Sequence, residues 1–523
     1  MRMATYASRP AWELRARAVR GKRVAVPLGL GLLVAVSVLL RTRRLDVGFW
    51  IDEGLSVGIA DRPLQDIPGV LRQDGSPPLY YVFLSLWLQV FGRSEASVHA
   101  LSVLFAAIMV PVAFWAGWSL FGRRTAWIAA LLIAVNPFLT DYAQEGRMYA
   151  LVALLAMVAL PCWLQAFTTD ADAVRRGPAI GFALALGAML YTHNWAYFFG
   201  AATGVAWLWL LWRADPPDRA RLLRTGLLAY GGAILLYLPW LPTALYQVTH
   251  TGAPWSLAPS LSTLASVPAR ILGPVAEVAV LLAAGTGVVA LVRTRPGPRY
   301  RATVALLVIG VLTIVLAWLV SQVSPAWAAR YLAIGVPAVV LLIAAGFANA
   351  GRLGLAGLAL VAVLWAIHGA PSEKSNVRDV AAAIAPSLHP GDLVVSTQPE
   401  QISVLDYYLP EGLRYATLTG PVPDVGVTDW RDGVERLEAT SAARDLQPLL
   451  DRLRPGQRLV LFVPEITSLK RWRAPWTSLV RVRTDEWLQA ASNDPSLSLV
   501  SVVPADPLPL SPYPVRAQVY LKR

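Results

Sequence analysis

Charge is scarce in this chain. Only 15% of its 523 residues are Asp, Glu, Lys or Arg, where a soluble domain carries about 25%. Hydrophobic residues make up 56% and the mean hydropathy is +0.50, a membrane composition. Cysteine is almost absent. Cys162 stands alone inside a hydrophobic block, so no intrachain disulfide can form and any soluble part must be stable without one. The five histidines are scattered; His99 and His193 lack metal-site spacing, and no His/Cys cluster exists. No G-x-G-x-x-G or G-x-x-x-x-G-K loop occurs, which removes those modes of phosphate binding. There is no internal repeat of the kind that builds many transporters from two similar halves. Nor is there a basic stripe on a soluble module, as nucleic-acid binding would need.

What is present is a run of hydrophobic blocks followed by an ordinary tail. The blocks fall at 24–40, 96–120, 125–140, 148–168, 178–192, 195–212, 225–242, 271–292, 302–321, 331–347 and 353–368, which predicts about eleven transmembrane helices. The basic segment 1–23 carries no small-residue cleavage site after it, so 24–40 reads as a retained span. From 371 to the end, 17 basic residues face 18 acidic ones; before that, 29 face 15. The excess positive charge therefore belongs to the membrane part and speaks to topology. With eleven spans, the inner segments hold 20 bases and the outer loops nine, among them Arg41, Arg147 and Arg330. That asymmetry predicts a cytoplasmic N-terminus and an extracytoplasmic tail. Residues 77–91 then read as an interfacial helix on the outer face. The tail alternates a helix signal at 377–388 with strand signals at 393–396, 457–464 and 515–521, the pattern of a small α/β domain.

On this topology the ionisable residues of interest gather at outer ends of spans. Asp52 and Glu53, flanked by Trp50 and Ile51, follow the first block. Carboxylates are costly there unless they do chemistry, hold a cation or pair with a base, although an acidic pair also suits the start of a helix. Asp52 has the chemistry of a general base for an attacking hydroxyl. Asp74 precedes Gly75-Ser76-Pro77-Pro78, a turn that opens the interfacial helix. Tyr80 and Tyr81 suit head-group anchoring, and Tyr81 is carried into the pocket set below. The loop at 141–149 packs Asp141, Glu145, Arg147 and Tyr149 together. Arg147 is either Glu145's ion-pair partner or a planar clamp for a phosphate. Arg330, next to Tyr331, is a lone outer cation of the kind that suits a lipid phosphate or simply snorkels. His193, at a helix end, reads as a hydrogen-bonded residue or a substrate contact.

Taken together, these residues resemble the bacterial members of glycosyltransferase family 39, in the GT-C superfamily. That group includes protein O-mannosyltransferases and the aminoarabinose transferases of lipid A. The resemblance rests on Phe49-Trp50-Ile51-Asp52-Glu53, on 75–81 (Gly-Ser-Pro-Pro-Leu-Tyr-Tyr), and on Phe91-Gly92-Arg93-Ser94-Glu95. It continues through Phe121-Gly122-Arg123-Arg124, Gln144-Glu145-Gly146-Arg147-Met148-Tyr149 and Ala329-Arg330-Tyr331. It covers most of 24–345.

The resemblance implies a polytopic α-helical GT-C membrane protein in three parts: 1–23, a transmembrane module at 24–370, and an extracytoplasmic α/β domain at 371–523. It implies a bacterial plasma-membrane enzyme that moves a sugar, mannose or another hexose, from a polyprenyl-monophosphate donor with inversion. Asp52 would be the base, with Glu53 orienting it or the acceptor. Arg147 and Arg330 would bind the donor phosphate. Asp74, Tyr81, Asp141, Glu145, Tyr149, His193 and Tyr331 would line the substrate pocket. The acceptor would be an envelope glycan, lipid or protein. No cofactor is named, and a divalent cation at Asp52-Glu53 stays open. Many members have His or Lys where Ser76 stands, which weakens any case for metal or for aminoarabinose. A transporter or lipid flippase is the alternative reading, and a non-catalytic assembly protein a second.

Overall fold

In a computed structural model, the described residues are 11–170, 173–294, 296–367, 369, 373–466, 468–504 and 511–523, with 11–24 and 471 described for backbone only. Residues 1–10 of the basic N-terminus, the end of the last hydrophobic block at His368 and the 370/371 boundary lie outside them.

Each of the hydrophobic blocks falls on a helix. Ala11–Arg41, Glu95–Phe121, Arg123–Val135, Tyr149–Phe167 and Arg176–Leu190 come first. Ala196–Arg213, the bent run 216–250, Pro274–Val292, Pro298–Val323, Val336–Asn349 and Gly351–Ala366 follow. Four of them are long and apolar enough to cross a membrane on those criteria alone: Glu95–Phe121, Tyr149–Phe167, Pro274–Val292 and Pro298–Val323. A fifth is added if Pro216–Tyr237 and Leu241–His250, bent by 70°, count as one. The helices bundle around Tyr149–Phe167, which is the most enclosed of the four. Its alanines allow close approach on nearly every side.

Two expectations need correction. Arg41 is not a loop charge. It ends the first helix fully buried and donates to the carbonyls of Ile133 (2.7 Å) and Ala106 (3.4 Å) and to Ser37. Tyr80 and Tyr81 are not head-group anchors. Helix Leu79–Phe91 turns Tyr80, Tyr81, Leu84, Ser85 and Leu88 into the bundle and leaves Phe83, Leu86, Val90 and Phe91 outside. Residues spaced three and four apart share one helix face, and here that face is the one holding both tyrosines.

The tail is an α/β domain on a six-stranded sheet: β1 Leu393–Ser396, β2 Arg414–Thr417, β3 Gly420–Pro421, β4 Arg458–Pro464, β5 Leu497–Val503 and β6 Val515–Lys522. Their order is β3-β2-β1-β4-β6-β5, with β1 parallel to β2 and β4 and the other pairs antiparallel. The fully buried run of β4 from Leu459 to Pro464 is what a strand covered on both faces requires. Strands predicted at 393–396, 457–464 and 515–521 are present, as is a helix, Val377–Ile384.

This domain sits directly on the loop that carries Asp52. Helix Ile51–Ala60 packs against Ile402–Tyr408 so closely that a Cβ on Gly54 would lie 2.5 Å from Val404 Cβ and 2.6 Å from its Cα. Arg62 pairs with Asp424 at 2.9 Å, and the Phe49 N–H donates to the Tyr408 hydroxyl at 2.8 Å.

Candidate active site

Helix Ile51–Ala60 begins at Trp50, whose extended backbone (φ −110°, ψ 179°) starts the turn. Glu53 reaches back to accept the Trp50 N–H at 3.3 Å, so the capping role available to an acidic pair is filled by Glu53. Its other oxygen accepts from the Gly146 N–H and from His99 Nε2, both at 2.9 Å. His99 Nδ1 lies 2.7 Å from the Leu45 carbonyl. Both ring nitrogens thus face oxygen acceptors, which requires each to carry hydrogen and makes the ring an imidazolium. Burial opposes ionisation of Glu53, yet His99, Lys374 and the Gly146 N–H hold its carboxyl below the usual range.

Asp52, one position earlier, points elsewhere. Its carboxylate meets Arg330 Nη2 at 3.3 Å, with both side chains under one-fifth exposed. Arg330 lies among Trp50, Trp255 and Tyr331, its Cζ 5.4–5.5 Å from each ring centre. Burial opposes the guanidinium, but neighbouring tyrosines and Asp52 raise its pKa well above the ordinary value. Arg147 approaches the same turn from the other side. Its Nη1 donates to the Asp52 carbonyl (3.2 Å), Ser56 Oγ (3.0 Å) and the Tyr81 hydroxyl (3.2 Å). Two cations therefore flank Asp52. The loop holding Arg147 is fixed by Ser102, which donates to the Glu145 carbonyl at 2.6 Å.

The other predicted residues fall around this centre. Asp74 closes helix Ile67–Asp74, which Gly75 ends in the left-handed region at φ 95°. Its carboxyl is buried, and burial raises its pKa against the pull of Ser76 and Arg147. Glu145 is also buried; burial raises its carboxyl's pKa although Lys374 forms an ion pair with it. Tyr149, His193 and Tyr331 make an aromatic wall, with His193 and Tyr331 ring centres 4.6 Å apart and Tyr149 6.2 Å from each. Burial and the charges of Arg147 and Arg330 lower the His193 pKa to about 3, so this ring is neutral. Its Nδ1 accepts the Trp195 N–H at 3.0 Å. Asp141 is half-buried near the end of helix Pro137–Tyr142.

Sequence reasoning missed the contribution from the tail. Lys374 pairs with Glu145 and lies 4.5 Å from the Trp50 ring centre, and Tyr513 stacks on the same indole at 5.1 Å. The one available signal was compositional, since Lys374 is one of four lysines in a chain with 42 arginines. His99 stands in the sequence as a residue near an outer span end without metal-site spacing, and its service to Glu53 has no local signature. Asp52 and Glu53 face separate partners and do not converge on one point as a cation would need. Among the described residues, no group of three or more His, Cys, Asp or Glu side chains is gathered for a metal ion.

Residues 75–245 match the family described as dolichyl-phosphate-mannose-protein mannosyltransferase. ArnT from Cupriavidus metallidurans, in the apo state, is 14% identical with a TM-score of 0.59, covering 96% of this chain and 98% of its own. The chain has the GT-C glycosyltransferase fold. The same ArnT bound to undecaprenyl phosphate superposes at 0.57 with 13% identity, over 95% and 97% of the two chains. The archaeal oligosaccharyltransferase AglB from Archaeoglobus fulgidus, in complex with an inhibitory peptide and a dolichol-phosphate, gives 0.57 at 10% identity, over 90% and 72%. No curated protein matches by sequence. The likeness to ArnT runs through the tail as well as the helical part, so this GT-C architecture extends over nearly the whole chain.

Proposed function

We propose that this GT-C protein moves a sugar, mannose or another hexose, from a polyprenyl-monophosphate donor to an acceptor hydroxyl, with inversion. The observation that carries the reading is the convergence on one helix turn of a carboxylate, Asp52, and two arginines, Arg147 and Arg330. ArnT is solved with undecaprenyl phosphate and AglB with a dolichol-phosphate, which supports a lipid-phosphate donor here.

In this mechanism the acceptor oxygen attacks the anomeric carbon while Asp52 takes the hydroxyl proton. The bond from that carbon to the phosphate oxygen breaks, and the electron pair leaves with the phosphate. A phosphate carries its own charge away, so no general acid is needed. Arg147 and Arg330 stabilise the departing phosphate in a low-dielectric setting, the largest catalytic contribution. Glu53, held by His99 and Gly146, orients the turn that carries the base. Asp74, Tyr81, Asp141, Glu145, Tyr149, His193 and Tyr331 line the substrate space. The site faces the outer side of a bacterial plasma membrane, with the N-terminus cytoplasmic, the tail extracytoplasmic, and an envelope glycan, lipid or protein as acceptor. A flippase would need charges distributed along a path, whereas these gather at one place.

The test is sugar transfer by purified protein in lipid nanodiscs, using a panel of polyprenyl-phosphate sugars with envelope extract as acceptor. Asp52→Asn is expected to keep the fold and lose most turnover. Near-normal transfer by that variant would sink the assignment.

A further inference from the structure

Asp74 is the carboxyl that the pairings around Asp52 leave over. Asp52 has Arg330, Glu53 has His99 and Glu145 has Lys374. Among the described residues, no cation forms an ion pair with Asp74, and its buried Oδ2 has no hydrogen-bond partner. Support comes from Ser76 alone, through its hydroxyl and its N–H. Asp74 is also the last residue of helix Ile67–Asp74, where the negative end of the helix dipole disfavours an anion. Arg147 is near enough to act on this carboxyl, yet its Nη1 serves three uncharged acceptors: the Asp52 carbonyl, Ser56 and Tyr81. Its Nε–H is buried and unpaired. An ionised carboxylate buried beside an unpaired guanidinium N–H would be expected to accept from it. A protonated one would not. The two unpaired groups then become two donors waiting for an acceptor, at the cation that the reading above gives to the phosphate.

We propose that Asp74 is held as a neutral carboxylic acid and donates a hydrogen bond to the phosphate of the lipid donor beside Arg147. This rests on the glycosyltransferase reading and adds to its phosphate site a residue of a different kind. A protonated carboxyl carries one O–H donor, and its bond to a charged oxygen is short and strong. The donor phosphate is a diester with one negative charge, which two arginines already outweigh. An uncharged acid adds recognition without adding charge, whereas an ionised Asp74 would repel the phosphate. Its proton stays in place throughout. No bond is made or broken at Asp74, and the electron pair leaves on the phosphate as before.

The groups around Asp74 come from four elements. Helix Ile51–Ala60 brings Asp52, the loop at 143–148 brings Arg147, and helix Leu79–Phe91 brings Tyr81. Helix Leu241–His250 and the residue after it bring Gln247, on the Leu71 carbonyl at 2.8 Å, and Thr251, against Gly75; neither titrates. The tail reaches the neighbouring Gln73 through Arg431, which Asp429 matches.

The experiment measures binding of polyprenyl methyl phosphate to full-length protein in phosphatidylcholine nanodiscs, from about pH 5 to about pH 9. This diester has no group that titrates in that range. Wild type should lose at least tenfold in affinity toward the upper end, as Asp74 ionises. Asp74→Asn, whose amide donates but cannot ionise, should bind throughout and lose that dependence. Asp74→Ala should bind at least tenfold more weakly than wild type at the lower end. Thermal unfolding without ligand should find Asp74→Asn at least as stable as wild type at neutral pH, since no charge pair is lost. A clear loss of stability in that variant would reveal an ionised, partnered carboxylate and overturn the proposal. So would an unchanged pH response in Asp74→Asn, a flat response in wild type, or wild-type affinity in Asp74→Ala. Failure of the glycosyltransferase reading is distinct: the diester would bind with the Asp74-dependent response, yet no polyprenyl-phosphate sugar would be transferred in an Asp52-dependent way.

Discussion

Removing the charge of Glu53 should loosen the turn that carries Asp52 without altering Asp52 itself. Its side chain is 4% exposed and accepts three hydrogen bonds, from His99, Gly146 and Trp50. In Glu53→Gln the shape is kept, but the amide NH2 must face one of those donors, and the imidazolium of His99 loses its counter-charge. Removing one partner of a buried ion pair costs about 3–5 kcal/mol. At about 1.4 kcal/mol per tenfold, local opening of segments 50–56 and 143–148 should become about two to three and a half orders of magnitude more frequent. Hydrogen exchange on nanodisc-embedded protein reads that opening directly. The pH dependence gives a second check. The carboxyl is held below its ordinary range in the fold, so its contribution is fully present above the unfolded pKa, about 4.3, and is lost as pH falls through the lower folded value. Wild type should therefore open more readily on acidification below that range, and Glu53→Gln should show no such dependence. Wild-type protection in the variant, or the same acid response, would refute the reasoning. A cycle with His99→Gln should show the two losses overlapping, since both remove one interaction.

Arg330→Gln should lower transfer about 10²–10³-fold with a raised donor KM, and Arg330→Lys should recover only part because the planar fork is lost; steady-state kinetics at varied donor decides. Gly54→Ala would set a Cβ 2.5 Å from Val404 Cβ and 2.6–2.7 Å from its backbone, so the tail must shift. The expected cost is about 1–3 kcal/mol in thermal stability with faster proteolytic release of the tail. Val404→Ala should not rescue it, because backbone atoms clash as well.

Much of this molecule was legible because membranes impose simple rules. Every hydrophobic block became a helix, since a buried backbone has to satisfy its own hydrogen bonds. The charges that stand between those blocks, Asp52, Glu53, Arg147 and Arg330, lie around one helix turn, each with a partner because each was too costly to leave alone. The limits are equally physical. Helix length did not follow block length, so among the described residues four helices pass as spans on length and composition, or five with the bent pair. Arg41 looked like a loop charge because a sequence does not show which carbonyls wait inside a bundle. Tyr80 and Tyr81 have the composition of anchors, and only packing turned them inward. Strand β3 has two residues, too few to show a pattern, and β2 opens on the exposed Arg414 and so lacks the apolar run that marks the equally short β1. Lys374 meets Glu145 across 229 residues, a pairing no local pattern encodes.

The Asp52 carboxylate pairs with Arg330, while Arg147 holds the same turn through the Asp52 carbonyl. Trp50 is where this arrangement meets the tail. One indole contacts Arg330 on the membrane side and Lys374 and Tyr513 on the tail side. A shift of the tail at Lys374 or Tyr513 therefore bears on Arg330 through this one ring. With Gly54 and Gly58 leaving no room between helix Ile51–Ala60 and the tail, the contact is close enough to transmit that shift. The tail is thus packed directly on the helix that carries Asp52.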